Sequence, residues 1–174
     1  LKSVPGFCLI DCVTETIIPA KDIRNPEYIT LSYVWGVSSS VELSHSQVMD
    51  VTTTVPVLPE SYQRPKVVND AMEVVRRIGY RYLWVDRYCI SQSDHSSKLI
   101  QIQSMGKIYS MSILTIIASA GNDAHYGLPG IGSAPRLQPI WKPLYNDDTT
   151  YRGAVIHFEP PNNDVLNSRW NSRG

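Results

Sequence analysis

Asp86, Cys89 and Gln92 fall within one short stretch, Tyr82-Leu-Trp-Val-Asp-Arg-Tyr-Cys-Ile-Ser-Gln92, and Ser32, Tyr33, Trp35 and Gly36 close another, Tyr28-Ile-Thr-Leu-Ser-Tyr-Val-Trp-Gly36. Each stretch begins as an apolar strand and ends in side chains that a buried strand does not need. A carboxylate directly after Leu83-Trp-Val85 stands where water is scarce. A desolvated carboxylate would have a shifted pKa and would suit acid–base work or orientation of a ligand. The same carboxylate equally suits a structural role, accepting the N–H groups of the next turn. Cys89 is a candidate nucleophile or ligand contact, but no histidine lies at a spacing that would activate it. A free cysteine also serves as a small buried hydrophobe. Trp35 and Gly36 together could stack a flat ligand with close backbone approach, or simply end a strand with a core indole. Ser32 and Tyr33 alternate across the sheet, so only one of them faces a given layer. Gln92 both donates and accepts, which fits a ligand amide or a loop carbonyl. His95 is a general base or a solvated loop histidine.

These residues need elements to hold them. Phe7 to Cys12 reads as a short strand, with Thr14 to Ile18 as its hairpin partner. Tyr28 to Trp35 and Tyr82 to Val85 are strands, the second apolar enough to be a buried parallel one. Between them Pro65 to Ile78 is the clearest helix. Its apolar face is Val67, Val68, Ala71, Met72, Val74, Val75 and Ile78, with basic residues in the last turn and Gly79 as cap. Residues 37 to 59 read as polar loop, with a short helix near Ser44 to Met49. Asp94 is a helix N-cap, followed by Leu99, Ile102, Met105, Ile108 and Tyr109 at helical spacing through Ser110. Ile113 to Ser119 is a third strand, and Ala154 to Phe158 a further one. Beyond Gly121 the glycines and prolines mark a long irregular stretch. The strand-helix-strand-helix-strand middle predicts an α/β fold with a mostly parallel sheet covered on both faces. Ligand sites in such sheets lie beyond the carboxyl ends of the strands, where Trp35-Gly36, Asp86 to Gln92 and Ser119 to Asn122 all fall.

Composition narrows the function classes. Lys+Arg and Asp+Glu are both 16, so the net charge is zero, and there is no basic run to bind nucleic acid electrostatically. Hydrophobic residues make up 43% and charged residues 18%, a globular balance on the low side for charge. Three cysteines do not make a disulfide framework and suit a reducing compartment. Cys8 and Cys12 have no second Cys/His pair at metal-ligand spacing, so no metal site is expected. No apolar run approaches the ~20 residues of a membrane span, and no signal peptide is present, so a cytoplasmic location is expected. Gly127-Leu-Pro-Gly-Ile-Gly132 lacks the phosphate-loop spacing, and there is no G-x-S-x-G or H-E-x-x-H element.

With these residues in place, the chain resembles the fungal heterokaryon incompatibility (HET) domain family. Tyr28-Ile-Thr-Leu-Ser-Tyr-Val-Trp-Gly36 is similar to the family block Y-x-x-L-S-Y-x-W-G. Leu58-Pro59 and the helix ending Arg76-Arg-Ile-Gly79 resemble the block that follows. Leu83-Trp-Val-Asp-Arg-Tyr-Cys-Ile-Ser-Gln92 resembles L-W-x-D-x-x-C-I-x-Q, and Gln101 to Tyr109 and Leu114 to Gly121 match later blocks. On this resemblance residues 1–174 form a single HET-like domain, cut short at its C-terminal end, with a variable Pro-rich region over 133–167.

The resemblance implies a death-inducing effector in fungal non-self recognition, cytoplasmic, acting by self-association or through protein partners. Nucleotide-binding and repeat domains are expected elsewhere in a longer protein. It also implies a distant relation to TIR domains, and so a flavodoxin-like three-layer sandwich with an irregular C-terminal extension. By that second step of analogy the alternative function is hydrolysis of NAD, with NAD as substrate and no cofactor. Asp86 would then be the catalytic candidate, and Ser32, Tyr33, Trp35, Gly36, Cys89 and Gln92 would line the ligand site. The family continues from Arg-Gly into Trp-Thr-x-Gln-Glu, whereas this chain ends at Arg173-Gly174. A TIR-like catalytic glutamate is therefore expected beyond Gly174, and these 174 residues alone are expected to be inactive.

Overall fold

The computed structural model describes residues 4–35, 58–90, 95–133, 135–136, 141–143, 154–156 and 165–172. Strand β1 (Cys8–Asp11) turns into β2 (Thr16–Pro19), and a single 3-10 turn (Ala20–Asp22) leads to β3 (Tyr28–Ser32). Helix α1 (Lys66–Arg77) precedes β4 (Tyr82–Trp84). Three helical segments follow, α2 (Asp86–Cys89), α3 (His95–Gln103) and α4 (Met105–Ser110), and then β5 (Thr115–Ile117). Strands β6 (Trp141–Pro143) and β7 (Ala154–Ile156) pair antiparallel as a separate two-stranded sheet. The helix anticipated near Ser44 to Met49 lies outside the described residues.

The main sheet has the order β2-β1-β4-β3-β5. Strands β4, β3 and β5 are mutually parallel, with Thr30 opposite Trp84 on one side and Thr115 on the other. The β1–β2 hairpin adds to the far edge of β4 antiparallel, Ile10 facing Leu83. The sheet is thus mixed rather than mostly parallel. A short apolar run such as Cys8-Leu-Ile10 carries no sign of its direction, and here it fills the open edge of β4 with all four β1 residues buried.

The chain runs from β3 outward to β4 and then back past β3 to β5. Right-handed crossovers in opposite senses put the connecting helices on opposite faces. Tyr28, Thr30 and Trp84 share the face toward α4. The Tyr28 hydroxyl donates to the Ile108 carbonyl at 2.5 Å, and Trp84 meets Tyr109 edge-on at 5.4 Å. Ile29, Leu31 and Leu83 point the other way, leaving that face to α1, which packs on β3 and β4. Helix α1 buries Val67, Val68, Ala71, Met72 and Val75, each of the larger ones worth roughly 1.5–3 kcal/mol relative to exposure. Two residues past its end stands Gly79, whose φ of +85° is the left-handed region that glycine, lacking a Cβ, adopts without strain.

The helix expected from Asp94 to Ser110 is broken. The Ser104 N–H bonds both the Ile100 and Gln101 carbonyls, at 3.0 and 3.1 Å, which tightens the turn ahead of Gly106. The break resets the helical phase: Ile108 is buried as expected, but Leu99 and Ile102 are exposed and Gln101 is buried in their place.

Candidate functional site

The carboxyl ends of β3 and β4 carry most of the residues singled out in the sequence. Leaving β3, Ser32 is half-buried, Tyr33 is buried and Trp35 is 51% exposed. Leaving β4, the chain passes Val85 and turns at once into the short helix α2, so Asp86 and Arg87 stand at the strand's end. The Arg87 guanidinium lies over the Trp35 ring, 5.8 Å from its centroid, a cation–π contact joining the two strand ends. Asp86 lies close enough to Tyr33 for its charge to act on the phenol. Burial first, then Asp86 and Tyr88, push the Tyr33 pKa well above its ordinary value, against a smaller opposing effect of Arg87. Asp86 Oδ1 accepts the Arg87 backbone N–H at 2.7 Å, so the carboxylate also structures its own turn.

Cys89 is placed differently from its expected role in a ligand site. It is 0% exposed, its sulfur accepts the Val85 N–H at 3.4 Å, and the thiol points to the Leu83 carbonyl at 3.9 Å. Burial raises its pKa far above the ordinary thiol range. It is the last residue of α2, whose turn carries its side chain into the core as a small hydrophobe. Gly36 and Gln92 lie outside the described residues.

Two residues joined to this cluster were not anticipated. Arg87 was hidden inside the second strand block. Trp170 comes from the far end of the chain, and its indole Nε1 donates to Ser32 Oγ at 2.9 Å. The available signal was a lone large aromatic in the polar run Asn167-Ser-Arg-Trp-Asn-Ser172. The third strand joins through its backbone, Ala118 N–H donating to the Ser32 carbonyl at 2.9 Å. The chain reverses its course between β3 and β5, which is where open α/β sheets form their ligand crevices. An exposed indole beside this point, with a guanidinium and a carboxylate at the neighbouring end of β4, suits a flat, polar or anionic ligand.

A separate cleft of about 250 Å³ is lined by Glu15, Ser61, Arg64, Asn69, Met72 and Arg76. Its polar groups satisfy one another. Arg64 bonds Glu15 at 2.5 Å and Asn69 at 2.8 Å, and Arg76 donates to the Cys12 carbonyl at 2.7 Å. This knot ties the β1–β2 turn to α1. Among the described residues no group of three or more His, Cys, Asp or Glu side chains is placed to hold a metal ion.

Comparison with known proteins decides the family. The model of the heterokaryon incompatibility protein (HET) family matches residues 28–174, which include both strand-end blocks and Trp170. The chain belongs to the HET family. A relative of this HET domain is heterokaryon incompatibility protein 6, OR allele, of Neurospora crassa, 31% identical over 121 residues. The match covers 65% of the chain but 17% of the relative's length. No solved structure matches the chain. The part of the HET domain that the family match covers begins at Tyr28, the first residue of β3, so the β1–β2 hairpin precedes it.

Proposed function

We propose that this HET domain is an effector module of fungal non-self recognition, triggering death of incompatible cells through self-association within a larger protein. The observation that carries the reading is the family match over residues 28–174. The relative's name, a heterokaryon incompatibility protein, supports it. The test is expression of the full-length protein in fungal cells. Death should follow expression and should be lost when the domain is deleted.

A second reading, cleavage of NAD, draws on one specific observation. The parallel strands run β4-β3-β5 with the course reversed between β3 and β5, an order consistent with a flavodoxin-like, TIR-like core; Trp35 follows β3 beside that reversal, and Arg87 and Asp86 stand at the neighbouring end of β4. In this reading Trp35 stacks a flat ring, Arg87 faces a phosphate and Asp86 orients the ribose. The chemistry would need a carboxylate beyond Gly174. Nicotinamide release by the full-length protein separates the two readings. Killing without release above blank leaves the assembly reading alone.

A further inference from the structure

Among the described residues strand β5 is an outer strand of the main sheet, and its outward edge differs from the other. The opposite outer strand, β2, ends in Pro19 and is flanked by Glu15, Lys21 and Asp22, the residue types that block strand addition. Around β5 the run Met111-Ser-Ile-Leu-Thr-Ile-Ile-Ala-Ser-Ala-Gly-Asn122 has neither a charged residue nor a proline.

The hydrogen bonds fix which groups face outward. Thr30 donates its N–H to the Leu114 carbonyl at 3.1 Å, and Ala118 donates its N–H to the Ser32 carbonyl at 2.9 Å. In a parallel ladder alternate residues of a strand serve one neighbour. Leu114, Ile116 and Ala118 therefore face β3, while Thr115 and Ile117 turn both main-chain groups away from β3, to the outer edge. Met111, Ile113, Leu114 and Ile117 alongside it are each 38–48% exposed.

We infer that this edge pairs with the same edge of a second copy of the chain, antiparallel, about a two-fold axis at Ile116. Thr115 then lies opposite Ile117 of the other copy, and each such pair exchanges both of its main-chain hydrogen bonds. Absence of charge points to a second copy as occupant. A surface that meets itself across a two-fold axis sets every charge near its own image, whereas a different partner could carry the complement. Both facing residues are β-branched, which suits cross-strand packing. One strand edge falls short of the roughly 800 Å² per partner of a stable complex. Pairing is therefore weak and concentration-dependent, as a triggered assembly requires. The inference rests on the self-association reading above.

The test is sedimentation velocity of the protein over rising concentration, with amide hydrogen exchange at Thr115 and Ile117. Wild type is expected to dimerise, and these two amides to slow with concentration. Ile117→Pro removes an outward N–H together with the isoleucine side chain, and Ile117→Lys puts a charge beside the axis. Each should raise the dissociation constant at least about tenfold, equivalent to ~1.4 kcal/mol. Ile117→Lys leaves the backbone donor in place and keeps the test valid where the proline variant fails to fold. A dimer unaffected by Ile117→Lys overturns this interface and leaves the self-association reading standing. A monomer at all concentrations with fast exchange at both amides overturns the interface and removes support for self-association. A monomer with both amides already protected means that the edge is covered within the chain, and overturns the second copy as occupant.

Discussion

Asp11 is a carboxylate whose role can be weighed directly. Burial on its own would raise its pKa. The Arg81 guanidinium, bonding Asp11 Oδ2 at 2.6 and 2.9 Å, and the backbone N–H groups of Val13 and Thr14 outweigh burial, and the pKa is lowered. A lowered folded-state pKa stabilises the protein above the ordinary carboxylate range, and that stability is lost as the pH falls through the folded value. Asp11→Asn should therefore unfold at lower urea than wild type at pH 7, and the gap should narrow in acid; a pH-independent gap would refute the charge argument. Asp86 is the contrasting case. Asn in its place still accepts the Arg87 N–H, so Asp86→Asn should melt within a few degrees of wild type. If the full-length protein cleaves NAD, the same change should lower nicotinamide release by about 10²-fold or more, the scale of a lost acid–base or orienting group. Unchanged release would remove Asp86 from the site.

Helix α1 shows at the next scale how an element is fixed from outside itself. Asp70, buried on α1, accepts the Lys66 ammonium at 2.6 Å and the Leu128 backbone N–H at 2.8 Å. Gly127 beside it has a φ of +83°, and a Cβ there would sit 2.3 Å from Asp70 Oδ2. Asp70→Ala should cost about 1–3 kcal/mol in urea unfolding, because it strands the Leu128 N–H. Gly127→Ala should cost at least as much, from both clash and backbone strain. Equal stability of either variant to wild type would contradict this account. The helix itself was legible: periodicity, Pro65, the basic last turn and Gly79 placed it within a residue of its observed ends. The strand cores Tyr28–Ser32 and Tyr82–Trp84 were legible for the same local reason. The break at Ser104 was not, because a weak local preference was set against a persuasive apolar spacing. Nor was β6, whose Pro143 argues against a strand in any local reading. The direction of β1 and the docking of Trp170 on Ser32 depend on contacts between distant segments, which no local pattern encodes. Ser32, Tyr33, Trp35 and Asp86 were legible as strand-end residues because they lie inside the two blocks, whereas the inward turn of Cys89 depends on the one-turn helix α2, which no local pattern marked.

At the scale of the molecule, no helix among the described residues is long and apolar enough to cross a membrane. The main sheet has two kinds of joint. Strands β3 and β4 have α1 on one face and α4 on the other, whereas the hairpin is registered to β4 through Ile10–Leu83 and Asp11–Tyr82, with the Cys12–Arg81, Arg81–Asp11, Arg64–Glu15 and Arg76–Cys12 bonds and the contact of α2 with β1 as further ties. This predicts that the hairpin leaves the sheet before the parallel strands separate. Native-state hydrogen exchange should show Leu9 and Ile10 amides opening at lower free energy than Ile29 and Leu31. The reverse order would place the weak joint elsewhere.

The same partition gives the protein a set of built-in chemical clocks. All three thiols are buried, with Cys8 and Cys12 on the hairpin and Cys89 at the end of α2. Burial first of all lifts Cys8 to about 11 and Cys12 to about 12. At neutral pH a thiol reagent therefore reports how often each region opens, rather than how reactive its sulfur is. Cys8 and Cys12 should be labelled together and early, Cys89 late. A pulse of reagent during unfolding would then time the loss of the hairpin against the loss of the strand ends, with no probe added to the chain.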